Sequence, residues 1–239
     1  MSGQAHRFVA PQLTVRRDER LLGAEADLNR GLELLAQVKA GETPALLRMY
    51  RPEPTVAFGQ RDAKLPGFPA AADAATARGF VPAVRRAGGR AAAYHQGCLV
   101  VDHIQPQADA MIDAKPRFKF FGDLFTGALR SLGVDAAVGE IPGEYCPGEF
   151  SVHGNGDGVR LKLVGTAQRV VSGAWLFSSV VVVSNSAPIR RVLTDCYSAL
   201  GLDWDPATAG GAADLVPGLT VDDVEDAILT AYRERAELI

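Results

Sequence analysis

Residues 174–183, AWLFSSVVVV, constrain the fold more than any other part of the sequence. Their β-branched and aromatic side chains suit a buried strand. The run falls well short of the about 20 apolar residues that a bilayer-spanning helix requires. Helical parts surround it. Leu21, Leu28, Leu32, Leu35 and Val38 recur at helical spacing, with Asp18 and Glu19 ahead as start signals and Gly41 as a stop. Residues 70–78 are Ala-rich and helical, closed by Gly79. Phe121, Leu124, Phe125, Ala128 and Leu132 mark one face of a further helix, stopped by Gly133. Ile189, Val192, Leu193 and Cys196 mark another, ending at Gly201. Thr220-Val221-Asp222-Asp223 has the form of a capping box with Asp in place of Glu, and it predicts a last helix burying Val224, Ile228 and Ala231.

Strands are predicted between these helices at residues 45–50, 55–58, 80–84, 91–95, 98–103 and 134–140. A hairpin has arms at 149–153 and 159–171, joined by the Gly-rich turn 154–158. Residues 203–218, with three Pro or Gly clusters, read as a loop. Such irregular alternation predicts an α+β domain with mixed or antiparallel sheets flanked by helices. It is read as a single unit over residues 1–239, with 202–239 as a small C-terminal loop-helix extension.

Charge and cysteine content narrow the function. Lys and Arg total 25 against 28 Asp and Glu, a formal charge of −3, which weighs against a nucleic-acid partner. Three widely spaced cysteines imply no disulfide framework and a reducing compartment. Residues 1–13 contain no apolar run of signal-peptide length, so a cytoplasmic location without a membrane partner is expected. His6, His95, His103 and His153 are scattered and make no ligand-spaced pair with cysteine, so no metal site is expected.

Three segments could carry chemistry. Arg85-Arg86-Ala87-Gly88-Gly89, followed by His95-Gln96-Gly97, places two cations and two permissive glycines after a strand. This suits a bound anion or carbonyl, and equally a solvated basic turn. Glu144-Tyr145-Cys146-Pro147-Gly148 puts a thiol where Pro-Gly interrupts the chain, facing either a cleft or the core. Lys162-Leu163-Val164-Gly165-Thr166-Ala167-Gln168-Arg169 places a cation inside an apolar strand, with Gly165 allowing close approach; Lys162 also shares a face with Arg160, as a solvent-facing lysine would.

Together with Pro54-Thr55-Val56-Ala57-Phe58-Gly59, these segments resemble the biotin/lipoate protein ligase superfamily, in its lipoate ligase and octanoyltransferase branch. The segments are similar to the family's PTVxxG, RRxxGG…HxxG and K-I-x-G-[ST]-A-Q-R blocks, in that order, without a third consecutive glycine and with Val170 after Gln-Arg. The stretch from Glu140 to Gly148 resembles the cysteine segment of octanoyltransferases that draw on the glycine cleavage H protein. The short tail after the core points the same way.

The resemblance implies an acyltransferase that moves an octanoyl or lipoyl group through a Cys146 thioester onto a lysine of a lipoyl domain. Lys162 would favour the thiolate and, with backbone N–H groups near Gly165 and Thr166, stabilise the oxyanion. Arg85, Arg86, Gly88, Gly89 and His95 would bind substrate. Partners would be lipoyl domains of 2-oxoacid dehydrogenase complexes as acceptors, with glycine cleavage H protein or acyl carrier protein as donor. No cofactor is required on this reading. ATP and Mg enter only for the alternative, an ATP-dependent lipoate-protein ligase, and a more distant alternative is a non-catalytic lipoyl-domain or acyl-binding module. A regular hairpin turning near Gly156 sets Lys162 opposite Phe150 and Cys146 opposite Thr166, about 13 Å apart along the strands. A bend at Pro147-Gly148 is therefore expected to return Cys146 toward the sheet.

Overall fold

The apolar run becomes β10 (Ala174–Val182), paired antiparallel with β6 (Cys98–Pro106) on one side and β9 (Val159–Val171) on the other, in a computed structural model that describes residues 8–156 and 158–239. Beyond β6 lie β2 (Leu46–Tyr50), antiparallel to it, then β1 (Gln12–Arg17) and β11 (Glu237–Leu238), each parallel to its neighbour. Beyond β9 lie β8 (Val152–Gly156) and β7 (Ala136–Val138), both antiparallel. A second sheet has β3 (Thr55–Phe58) at its centre, parallel to β4 (Val81–Val84) and antiparallel to β5 (Ala92–Tyr94). The helices are α1 (Ala24–Ala40), α2 (Phe68–Ala77), α3 (Ala114–Ser131), α4 (Ser186–Leu200), α5 (Ala212–Leu215) and α6 (Val221–Arg233). This is the mixed α+β architecture that the alternation of elements predicts.

Strand periodicity decides which helix covers which face. Leu47, Met49, Leu99, Val101, Trp175 and Phe177 pack with Phe121 and Phe125 of α3 and with Ile228 and Tyr232 of α6. The alternate residues Leu46, Ile104 and Leu176 meet Leu34, Leu35 and Val38 of α1. A separate core joins Val56 and Phe58 of the small sheet to Ala71 and Ala75 of α2 and to Ile189 and Val192 of α4. The cavity described below opens where these two sheets meet.

Local deviations have identifiable causes. Helix α1 begins at Ala24, after Gly23, rather than at Leu21. Asp18 does not start it; its carboxylate lies 2.6 Å from Arg48, a fully buried guanidinium that also pairs with Asp27 at 3.2 Å and Asp102 at 3.1 Å. Burial raises the carboxyls of Asp27 and Asp102, with Arg48 opposing it. Strands β1 and β11 carry no strong sequence signal: β1 is QLTVRR, with Leu13 alone fully buried. The loop expected at 203–218 contains a 3₁₀ turn, Pro206–Thr208, and the short α5. Thr220 does cap α6: its hydroxyl accepts from Asp223 N while its own N–H donates to Asp223 Oδ2. Among the described residues no helix is long and apolar enough to cross a membrane.

His103 is the sharpest electrostatic liability in the main core. It sits among Phe121, Trp175 and Tyr232, and burial pushes its pKa down to about 3 from 6.5. The unfolded chain therefore takes up a proton below about pH 6.5 that the folded chain refuses, so stability is full above that pH and drains as pH falls toward 3. At roughly 1.4 kcal/mol per pKa unit, the loss is about 4–5 kcal/mol at most across that window. We predict that urea-unfolding free energies decline from pH 6.5 downward, and that His103→Phe flattens this part of the curve; an equal slope in wild type and variant would contradict it.

Candidate active site

Two glycines let the small sheet grip the basic loop. Arg85 N donates to Phe58 O, which aligns the end of β4 with β3. Gly59 follows β3 so closely that a Cβ there would lie 2.0 Å from the carbonyl oxygen of Gly89, a backbone atom with nowhere to move. Gly89 itself has φ +103°, a conformation that suits glycine. Fully buried Asp62 completes the joint, accepting from Gly59 N at 2.9 Å through Oδ2 and pairing with Arg90 Nη1 at 2.9 Å through Oδ1. The Pro54 to Gly59 and Arg85 to Gly89 segments are thus one interlocked unit.

The cysteine segment reaches this unit because the expected hairpin is shorter than its sequence suggests. Lys162 faces His153, not Phe150, and the register then shifts so that Val152 faces Val164, leaving Leu163 as the extra residue of a bulge. Leu163 and Val164, adjacent in sequence, both enter the main core. Residues 139–151 pair with nothing as a strand and fold back across β9. Lys162 is consequently only 2% exposed, despite sharing a face with exposed Arg160. Its ammonium meets three oxygens: Glu144 Oε2 at 2.6 Å, Tyr145 O at 2.9 Å and Cys146 O at 2.8 Å. Ala209, just after the 3₁₀ turn, bridges Lys162 from the other side.

Cys146 is half-buried and sits at φ 45°, one of two non-glycine residues with positive φ among those described. A β-carbon makes that conformation cost about 1 kcal/mol or more. Strain of this kind persists only where surrounding contacts overdetermine it. The Cys146 N–H donates to Tyr197 Oη at 2.8 Å, and Tyr197 in turn donates to Ala91 O at 3.0 Å. The sulfur accepts from Arg90 N at 3.2 Å and lies 3.5 Å from Arg85 Nη2. Cys98 and Cys196 differ: burial pushes both thiols up to about 12, and Cys98 lies wholly inside. Buried and uncharged at neutral pH, they behave as small apolar residues.

The sulfur opens on a cavity of about 490 Å³, a size typical of small-molecule sites. Of the expected residues, Arg85, Gly88, Gly89, Cys146, Lys162, Gly165 and Thr166 all line it, and Phe118, Tyr145, Phe150 and Val180 add apolar wall. Gly165 and Thr166 lie past the last β8 pairing, where one edge of β9 is open toward the cavity. Arg86 instead borders a neighbouring recess of about 60 Å³, which shares Arg85 and Gly165 with the cavity. The structure does not bring His95 to the site. Its Nδ1 accepts from Gly97 N and its Nε2 meets Asn185 O, so the ring braces a turn beside a separate surface depression.

Four contributors escape motif reading. Arg90 meets the sulfur through its backbone N–H, a group that every residue but proline carries, while its side chain pairs with Asp62. Glu144 lies inside the cysteine segment, yet nothing local marks it as the partner of Lys162. Tyr197 follows Cys196 on the buried side of α4, and Asp62 follows Gly59 by three residues; their roles emerge only when the segments meet. Among the described residues no group of His, Cys, Asp or Glu could hold a metal ion.

Solved structures share this arrangement of sheets. Lipoate-protein ligase A bound with ATP matches with a TM-score of 0.67 and 19% identity, covering 95% of this chain and 89% of that one. A structure of the Thermoplasma acidophilum bi-partite lipoate protein ligase and its E2 lipoyl domain matches at 0.64 and 19%, covering 97% and 88%. At these identities the likeness concerns the fold. The sequence goes further: residues 26–233 match the lipoyl protein ligase A/B catalytic domain, and the chain belongs to that family. Among its relatives is an octanoyl-[GcvH]:protein N-octanoyltransferase of Geobacillus kaustophilus, 30% identical over 77% of this chain. An Exiguobacterium protein of the same description is 27% identical over 80%. The chain spans 63% of the Geobacillus relative's length and 70% of the Exiguobacterium one.

The packing at Gly89 yields a direct test. A Cβ there would stand 2.7 Å from Cys146 Sγ and 2.5 Å from Arg85 Nη2, with φ strain added. We predict that Gly89→Ala changes the iodoacetamide labelling rate of Cys146 at least tenfold, while Gly88→Ala, whose Cβ would meet nothing within 4 Å, labels at the wild-type rate. Equal rates for the two variants would show that the loop does not seat the sulfur.

Proposed function

We propose that this chain transfers an octanoyl group, or its lipoyl derivative, through Cys146 onto a lysine of a lipoyl domain. The observation that carries the reading is the sulfur itself: half-buried, hydrogen-bonded by a peptide N–H, beside a guanidinium, on the wall of an acyl-sized cavity. Cys98 and Cys196, whose thiols burial pushes up, do not line that cavity.

The Cys146 sulfur attacks the acyl carbonyl of the donor, forming a C–S bond as the C–N bond to the donor lysine breaks. The thiol proton ends on the departing amine. The acceptor lysine amine, in its neutral form, then attacks the thioester carbonyl. The C–S bond breaks as the new amide forms, with the amine's lost proton returning to the departing sulfur to restore the thiol. One amide replaces another, so the exchange is close to balanced and requires no ATP. The family relatives support a GcvH donor. Arg85 and the Arg90 N–H already point at the sulfur, where they favour the negative charge that builds as its proton departs and again as it leaves the thioester. The peptide N–H of Gly165 or Thr166 that faces the open edge of β9, one of the two since adjacent residues point to opposite edges, is the candidate donor to the acyl oxygen. Lys162 supplies the site's buried positive charge and acts on Cys146 through its carbonyl. An eight-carbon chain, at about 0.8 kcal/mol per buried methylene, gains several kcal/mol against the apolar wall.

Incubation with octanoylated H protein, without ATP, is predicted to add one octanoyl mass to Cys146 and then to label an acceptor lipoyl domain. Cys146→Ser should abolish both. Intact-mass spectra without an adduct while the acceptor is still modified, or transfer that depends on ATP and survives Cys146→Ser, would replace this reading with the ligase one.

A further inference from the structure

Cys146 is fixed by its own peptide groups, one on each side of a left-handed residue. Its N–H ends on Tyr197 Oη at 2.8 Å and its C=O on Lys162 Nζ at 2.8 Å. Each anchor has a backstop. Tyr197 Oη donates onward to Ala91 O, a residue inside the second sheet's core, and burial raises the phenol's pKa, which keeps that proton in place. Lys162 is held by Glu144, whose fully buried carboxylate collects three further donors: Ile141 N at 3.1 Å, Gly148 N at 3.4 Å and Ser151 Oγ at 2.7 Å. These donors flank Cys146 in sequence on both sides. One buried carboxylate therefore ties the beginning and end of the cysteine segment to the ammonium beneath it.

We propose that Tyr197 and Glu144 are positioning residues for Cys146: Tyr197 through its N–H, and Glu144 through Lys162 and its C=O, together fixing the left-handed backbone that aims the sulfur at Arg90 N and Arg85. Neither side chain hydrogen-bonds the sulfur, whose partners among the described residues are Arg90 N and Arg85 Nη2. Without the clamp a non-glycine residue relaxes toward negative φ. That rotation swings the Cα–Cβ bond and takes the sulfur off its donors.

The proposal rests on the transferase reading for its importance, while its test stands apart from that reading. Tyr197→Phe removes one oxygen and keeps the ring. Iodoacetamide labelling of Cys146 and octanoyl-adduct formation should both slow roughly tenfold, about one hydrogen bond's worth. The KM for octanoylated donor should stay within twofold, with the far-UV spectrum unchanged. Glu144→Gln keeps an acceptor for the segment's N–H groups but removes the charge facing Lys162, and should slow both reactions at a similarly constant KM. Wild-type labelling and transfer rates in a folded Tyr197→Phe variant would overturn the proposal. So would a transfer defect confined to KM with labelling unaltered. Should Glu144→Gln not fold, Tyr197→Phe decides alone. Absence of any adduct in wild-type protein would count against the transferase reading only, since the labelling comparison still reports the aim of the sulfur.

Discussion

One buried ammonium organises the site. Lys162, at 2% exposure, has three N–H bonds and three oxygen partners, all supplied by consecutive residues Glu144, Tyr145 and Cys146. Burying an ion pair in this way does little for net stability, because desolvation of the two charges offsets most of their attraction. It is highly directional, however. Three acceptors from one short segment leave that segment little freedom relative to β9. The geometry makes residues 139–151 an outgrowth of the sheet rather than a free loop, and brings the sulfur of that segment and the cation of β9 into one pocket.

The opposite wall is built by exclusion of atoms rather than by attraction. Gly59 and Gly89 are there because neighbours occupy the space a side chain would fill: a carbonyl in one case, a sulfur and a guanidinium in the other. Asp62 then joins the two glycine segments through Gly59 N and Arg90. The result is a peptide N–H directed at Cys146 from a backbone that cannot rise or settle without a steric clash. Attraction on one side and close packing on the other hold the sulfur from both directions.

Much of this was legible in the sequence, for reasons that differ by element. The apolar run at 174–183 read correctly as a buried strand because burial on both faces suppresses alternation. The helices read well where a Gly stop and a 3.6-residue stripe agree, as at Gly41, Gly133 and Gly201. Strand β1 did not, since QLTVRR buries Leu13 alone and gives almost no apolar signal. Asp18 looks like a helix start, yet a buried guanidinium elsewhere in the chain claims it. In the site, Arg85, Gly88, Gly89, Cys146, Lys162, Gly165 and Thr166 were all nominated by motif, and the cavity gathers them. His95 belonged to the same motif but braces a turn. Arg90, Glu144 and Tyr197 were silent because their contributions are a peptide group, a counter-charge and a phenol that matter only in three dimensions. The register also escaped, because a single inserted residue at Leu163 leaves no trace in composition.

Two of the three oxygens that hold Lys162 beside Cys146 are peptide carbonyls, and the group that anchors the Cys146 nitrogen is a tyrosine hydroxyl. None of these bonds depends on what side chain residue 146 carries. Backbone anchoring and side-chain chemistry are thereby separated at this position: the peptide bonds that hold residue 146 would persist with another side chain, whereas the space beside Gly89 is fitted to the sulfur. A fold arranged in this manner can exchange one reaction for another by altering a single side chain, keeping its pocket while its catalytic repertoire changes.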